Sequence, residues 1–260
     1  MCLEGDTVRI SRAMGGHRER RLPDIVSGVR LLRRRWVLLA GGPIVLLVVA
    51  VVVLAFAYPS VAATACPRCF SMEELRPGLY VEGGLTAAQR DQMISVQEQA
   101  KQRVAKFYGG RESDPLLLAC FTDDCYRRIG GGGERGVAVL NRAVMLSPRG
   151  LDPVIASHEM SHVEFHQRLG DREAGVPQWF DEGLAVIVSA DERNIRPPGA
   201  GDRCKVEPTG ELPVTLDDWL SAATADSQMY AKAACAVSRW LDTHDGRQGV
   251  LDLASTGWRG

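Results

Sequence analysis

Beyond residue 35 the chain carries no basic patch interleaved with aromatics, and aromatics make up only 6% of the whole. That argues against nucleic acid as a partner. There is no internal repeat and no low-complexity tract, which excludes a repeat architecture. The glycine run GGGGERG at 130–136 is not followed by a helix carrying Lys-Ser or Lys-Thr, so it reads as a loop and not as a phosphate cradle. Charge is also missing over one long stretch, since no Asp, Glu, Lys or Arg occurs between Arg35 and Arg68.

That gap holds an apolar run at residues 36–58, WVLLAGGPIVLLVVAVVVLAFAY. As a helix its 23 residues would extend about 35 Å, enough to cross a hydrocarbon core of about 30 Å with some tilt. Trp36 and Tyr58 stand at its ends, where amphipathic rings favour the membrane interface. Residues 1–35 hold nine Arg against four acids, a net of +5; the whole-chain net of −1 therefore leaves −6 for the rest. With Arg30, Arg33, Arg34 and Arg35 on one flank and only Arg68 near the other, the N-terminus is expected to be cytoplasmic and the remainder extracytoplasmic. Ala63-Thr64-Ala65 before Cys66 offers a cleavage-site pattern. The run nevertheless exceeds the 7–15 apolar residues of a signal peptide, so an uncleaved single-pass anchor is expected.

Cysteine usage agrees with export. Cys2 lies before the anchor, and the other six fall after it as Cys66 and Cys69, Cys120 and Cys125, and Cys204 and Cys235. Six cysteines allow 15 pairings, of which pairing sequence neighbours is the simplest.

The organisation expected is a basic tail (1–35), the anchor (36–58), a turn-rich tether (59–84) with one extended stretch at 79–82, and a folded domain (85–260). In the last, Thr86 and Gln89 form a capping box, and Met93, Val96, Ala100, Val104 and Phe107 make the apolar stripe of a helix stopped by Gly109. Residues 115–122 suit a buried strand, and 137–146 a strand or a hairpin. Asp152 is a good N-cap, Pro153 fits the first helical position, and Gly170 ends a helix over 153–169. A second buried helix follows in VPQWFDEGLAVIVS, then a long polar loop, then helical segments LDDWLSAA and SQMYAKAACAVSRWLDTH.

Three of the five histidines, His158, His162 and His166, stand four apart on the helix at 153–169 and share one face. Within it HEMSH fits His-Glu-x-x-His, in which two imidazoles one turn apart can reach one ion while the intervening Glu159 lies beside the water that ion holds. A third donor is available in WFDEGLA. Glu182, with nineteen residues between it and His162, lies on the next helix, which an antiparallel return would bring against the histidine face. Asp181 is rotated about 100° from Glu182 and cannot face the same ion; it suits a salt bridge or a partner behind a ligand. His166 lies about 6 Å beyond His162 along the axis, too far for one tetrahedral centre, and reads as a surface or rim residue.

At these residues, over about 137–240, the sequence resembles the gluzincin (thermolysin-like) zinc metallopeptidases. The resemblance implies an α+β, zincin-like domain: a small mixed sheet, an active-site helix, then a mainly helical C-terminal part. It implies one zinc ion on His158, His162 and Glu182, with Glu159 as general base. It also points to Tyr230, which with Lys232 is similar to a Tyr-x-Lys-Gly element that stabilises the oxyanion, although Ala233 stands where that motif has Gly. His244 is the other candidate for that role. Gly is absent at 165 and His at 168, so the metzincin pattern fails. No Gly-x-Met-Glu-Asn occurs, and Val186 replaces the thermolysin-type aspartate, which leaves the partner of the first histidine open. In such enzymes the strand before the active-site helix pairs with extended substrate, which points to 141–146.

The function expected is therefore a membrane-anchored zinc peptidase acting on a peptide or protein substrate. The alternatives are a zinc-binding envelope interaction module without useful turnover, a redox role for Cys66-Pro-Arg-Cys69, and non-haem iron in the two-His, one-carboxylate set.

Overall fold

Capping, turn and alternation signals are borne out in the computed structural model, which describes Val49, Val53 and residues 55–258. The chain divides into two units, Met1–Val51 and Val52–Gly260, and the fold below belongs to the second. Among the described residues no helix is long and apolar enough to cross a membrane. Most of the expected anchor at 36–58 lies outside them, as does the basic tail.

Five short strands form one mixed sheet in the order β1-β2-β3-β5-β4. They are β1 (Met72–Arg76), β2 (Leu79–Glu82), β3 (Leu116–Ala119), β4 (Gly136–Val139) and β5 (Ala143–Leu146). β2, β3 and β5 run parallel, while β1 and β4 are antiparallel edges. Alternation sorts the side chains into two layers. Leu79, Val81, Leu117, Ala119, Val144 and Leu146 join the main core. Leu118, Val139, Ala143 and Met145 join a second core with Ala63 and Tyr126.

The main core is closed by α2 (Ala87–Tyr108) and α4 (Pro153–Leu169); the second by α1 (Pro59–Ala65) and α3 (Asp123–Arg128). The capping box of α2 is present, and Gly109 ends it at φ 76°. Tyr108 is fully buried where Phe107, the expected stripe residue, is only partly so. α5 (Gln178–Ser189), α6 (Leu216–Ala225), α7 (Met229–Thr243) and α8 (Arg247–Thr256) complete the C-terminal half. α8 has no counterpart in the sequence reading, because Gly249 interrupts its first turn and only three residues part it from α7.

Two further expectations are corrected. The segment 59–84 is not a free tether: α1 supplies a buried Ala63, and β1 and β2 form one side of the sheet. Residues 141–146 do not offer a strand edge, because β5 is hydrogen-bonded on both sides, to β3 and to β4. On that side of the sheet the edge strand is β4. All three disulfides pair sequence neighbours, Cys66–Cys69, Cys120–Cys125 and Cys204–Cys235.

Candidate metal centre

The site is built on α4. Asp152 accepts hydrogen bonds from the backbone N–H groups of Val154 and Ile155, which fixes the helix start two turns ahead of the histidines. α5 then returns against α4 and delivers Glu182. Its Oε2 lies 3.3 Å from His158 Nε2 and 3.7 Å from His162 Nε2. Arms of about 2.0–2.2 Å to a tetrahedral zinc would put neighbouring donors about 3.3–3.5 Å apart, so this spacing fits an ion at their centre. The other Glu182 oxygen is held by Gln178 Nε2 at 3.3 Å. The sequence reading missed Gln178; its signal was a place one helical turn before Glu182 on the same face.

A second group of donors, His162, His166 and Asp181, is also close enough to hold an ion. Its contacts are those of hydrogen bonds: Asp181 Oδ1 is 3.0 Å from His162 Nδ1 and Oδ2 is 2.8 Å from His166 Nε2. The His158, His162 and Glu182 donors are spaced slightly farther apart, with His158 and Glu182 still within hydrogen-bond reach at 3.3 Å and His162 at 3.7 Å from the same oxygen. His166 is not a surface bystander. One carboxylate ties it to the far side of the His162 ring. Burial alone would lower the His162 pKa, but the charge and hydrogen bond of Asp181, with Glu182 and Glu159 behind it, raise it to about 10. Burial opposes ionisation of Asp181, yet His162 and His166 together hold its carboxyl well below the usual range.

Glu159 faces a cleft of about 440 Å³ bordered by His158, Tyr230, Gly136, Arg149 and Arg193. Burial pushes its carboxyl upward, His158 and His162 oppose that, and Glu182 adds to it. The Ala138 backbone on β4 lies on the lowering side of that balance. β4 crosses the start of α4 so closely that a Cβ on Gly136 would stand 2.9 Å from Glu159 Cγ and Ile155 Cγ2. The far wall is the loop after α5, braced by Asp191, which pairs with Arg193 at 2.7 Å and accepts from Asn194 at 2.8 Å. Neither Asp191 nor Arg193 stood out within the long polar loop.

No family model, curated protein or solved structure matches the chain.

Tyr230, at the start of α7, lines the same cleft, with its ring 6.0 Å from His158 and 5.1 Å from Trp219. Burial, then the Glu182 charge, push its hydroxyl far above the ordinary tyrosine value, so it stays protonated. Trp219, packed edge-on against the ring, opposes that rise without overcoming it, so the hydroxyl keeps a proton it can donate. Gly183 makes this possible: a Cβ there would meet the Ala233 carbonyl oxygen at 2.5 Å, so only glycine lets α7 pack this near α5. His244, the other candidate, caps the opposite end of that helix, about 21 Å along the axis from Tyr230. It stacks on Trp240 at 4.2 Å and lines a different hollow.

Proposed function

We propose that the protein is a zinc-dependent peptidase held at the membrane by residues 36–58, with one ion on His158, His162 and Glu182. The single observation that carries this reading is the convergence of those three donors, with Glu182 Oε2 3.3 and 3.7 Å from the two imidazoles, beside a half-buried Glu159 in a cleft. Zinc bound there would serve as a Lewis acid and lower the pKa of a water in the remaining position to about 7.

The chain's own residues would do the following. The edge of β4 pairs with an extended peptide and lays its carbonyl across the cleft. Glu159, its pKa already raised by burial, takes the proton of the attacking water and returns it to the departing amine nitrogen. Tyr230 donates its hydroxyl to the carbonyl oxygen as negative charge develops there. Asp181 holds His162 by Nδ1 and so presents Nε2 to the ion.

The test is to incubate the full-length protein with a peptide library, with and without chelator, and to map cleavage by mass spectrometry. Cleavage that stops on chelation and returns with zinc is expected. A protein that binds zinc stoichiometrically and cleaves nothing would instead be an interaction module.

A further inference from the structure

β4 and β5 are joined by a tight turn in which Arg142 N donates to Val139 O at 2.9 Å. Both central residues have positive φ, Leu140 at 50° and Asn141 at 53°. Asn and Gly suit such positions, and a leucine there is strained. Nothing in the fold repays that strain, because Leu140 is 64% exposed. A large apolar side chain held outward at a cost to the turn calls for something that covers it.

The neighbourhood indicates what that is. Val139 and Ala143, the pair that flanks the turn, pack in one cluster with Ala63 of α1. The tip and α1 border one hollow, to which Leu140, Asn141 and Arg142 contribute from the turn and Val61 and Thr64 from the helix. Val61 is itself exposed and lies three residues after Tyr58, the end of the apolar run, within about 10 Å along the chain. Phe56 and Tyr58, 84% and 60% exposed, continue the apolar surface along the sequence. Arg142, two residues after Leu140 and exposed, can reach lipid phosphate while Leu140 enters the acyl boundary. The exposed apolar side chains around α6, Val214, Leu216 and Leu220, have no such segment beside them in sequence.

We propose that the Leu140 turn is a second membrane contact, dipping into the bilayer interface beside the point where the chain emerges. This rests on the reading of residues 36–58 as an anchor. It also narrows the substrate class. β4 runs from Leu140 back to Gly136 at Glu159, about 14 Å away along the strand, so the cleft stands close to the headgroups and serves polypeptide at the membrane surface.

The test uses the full chain carrying Cys2→Ser, with an environment-sensitive dye on Leu140→Cys or on Asp91→Cys, an exposed site on α2, reconstituted in phosphatidylcholine–phosphatidylglycerol vesicles. The dye at 140 is expected to shift to the blue and to be quenched by lipids brominated near the headgroup, and the dye at 91 to do neither. Vesicles that float with the protein while the dye at 140 behaves like that at 91 would overturn the contact and leave the anchor standing. Failure to float would overturn both. Quenching by a spin-labelled second copy, with none by lipid, would assign the tip to self-association and overturn the proposal. In detergent, Leu140→Asn is expected to raise Tm by about 2–4 °C through relief of turn strain. A fall in Tm would show that Leu140 packs on the body of the protein, which contradicts a role in lipid.

Discussion

His162 donates its Nδ1–H to the Asp181 carboxylate across 3.0 Å. That contact decides which imidazole nitrogen is left for a metal, since Nε2 then faces Glu182 and His158. The other Asp181 oxygen is taken by His166, so the third histidine of the stripe acts through the carboxylate and not on the ion.

Asp181→Asn is expected to weaken zinc affinity about 10–100-fold with the fold retained. His166→Ala should act in the same direction and by less. The double variant should lose less than the sum, because both act on one ring. Competition against a chromophoric chelator measures all three. Were His166→Ala instead to abolish binding while His158→Ala spared it, the ion would lie on His162, His166 and Asp181.

Proton uptake follows from the same contact. Asp181 and the neighbouring carboxylates outweigh the burial that would lower His162, and its pKa rises to about 10 in the metal-free protein. Its folded value thus exceeds the ordinary 6.5. The stability it contributes is complete below about pH 6.5 and is lost as pH rises through the folded value. Urea unfolding of the metal-free protein should show that decline between pH 6.5 and 10. Zinc binding near pH 7 should release about one proton from this ring, seen as a buffer-dependent calorimetric heat.

Tyr230→Phe removes the hydroxyl while keeping the ring against Trp219 and His158. The expected result is a fall in kcat of about 10²-fold with KM and zinc content little changed. A wild-type kcat in this variant would remove Tyr230 from the chemistry.

Gly183→Ala tests the close packing that brings Tyr230 to the cleft. Its Cβ would overlap the Ala233 carbonyl oxygen at 2.5 Å, so a loss of about 1–3 kcal/mol in urea unfolding is expected. An unperturbed protein would mean that α7 can shift without penalty.

The helix that carries the site was legible because its signals are local: Asp152 caps it, Pro153 opens it, and the histidines recur at its period. Glu182 was legible through residue type and distance along the chain. The position of β5 was not, since a strand's place in a sheet depends on partners far away; Leu117 and Val144, paired in register, are 27 residues apart. The sequence suits Asp181 to a salt bridge or to a place behind a ligand, but which imidazoles it meets, and the tie to His166, were hidden for a related reason. The 100° rotation between Asp181 and Glu182 points the two carboxylates apart, and the packing of α5 on α4 shows Asp181 gripping two imidazoles. Gln178 and the Asp191–Arg193 brace depend on side-chain contacts with no sequence period at all.

The most direct measurement compares wild type with Glu159→Gln for zinc content and for hydrolysis of a peptide the wild type cleaves. One zinc per chain in both proteins is expected, with hydrolysis by the variant lower by about 10²–10⁴-fold. Full hydrolysis by Glu159→Gln, or a wild-type protein that holds no zinc, would contradict the assignment of this site as a metal-dependent peptidase centre.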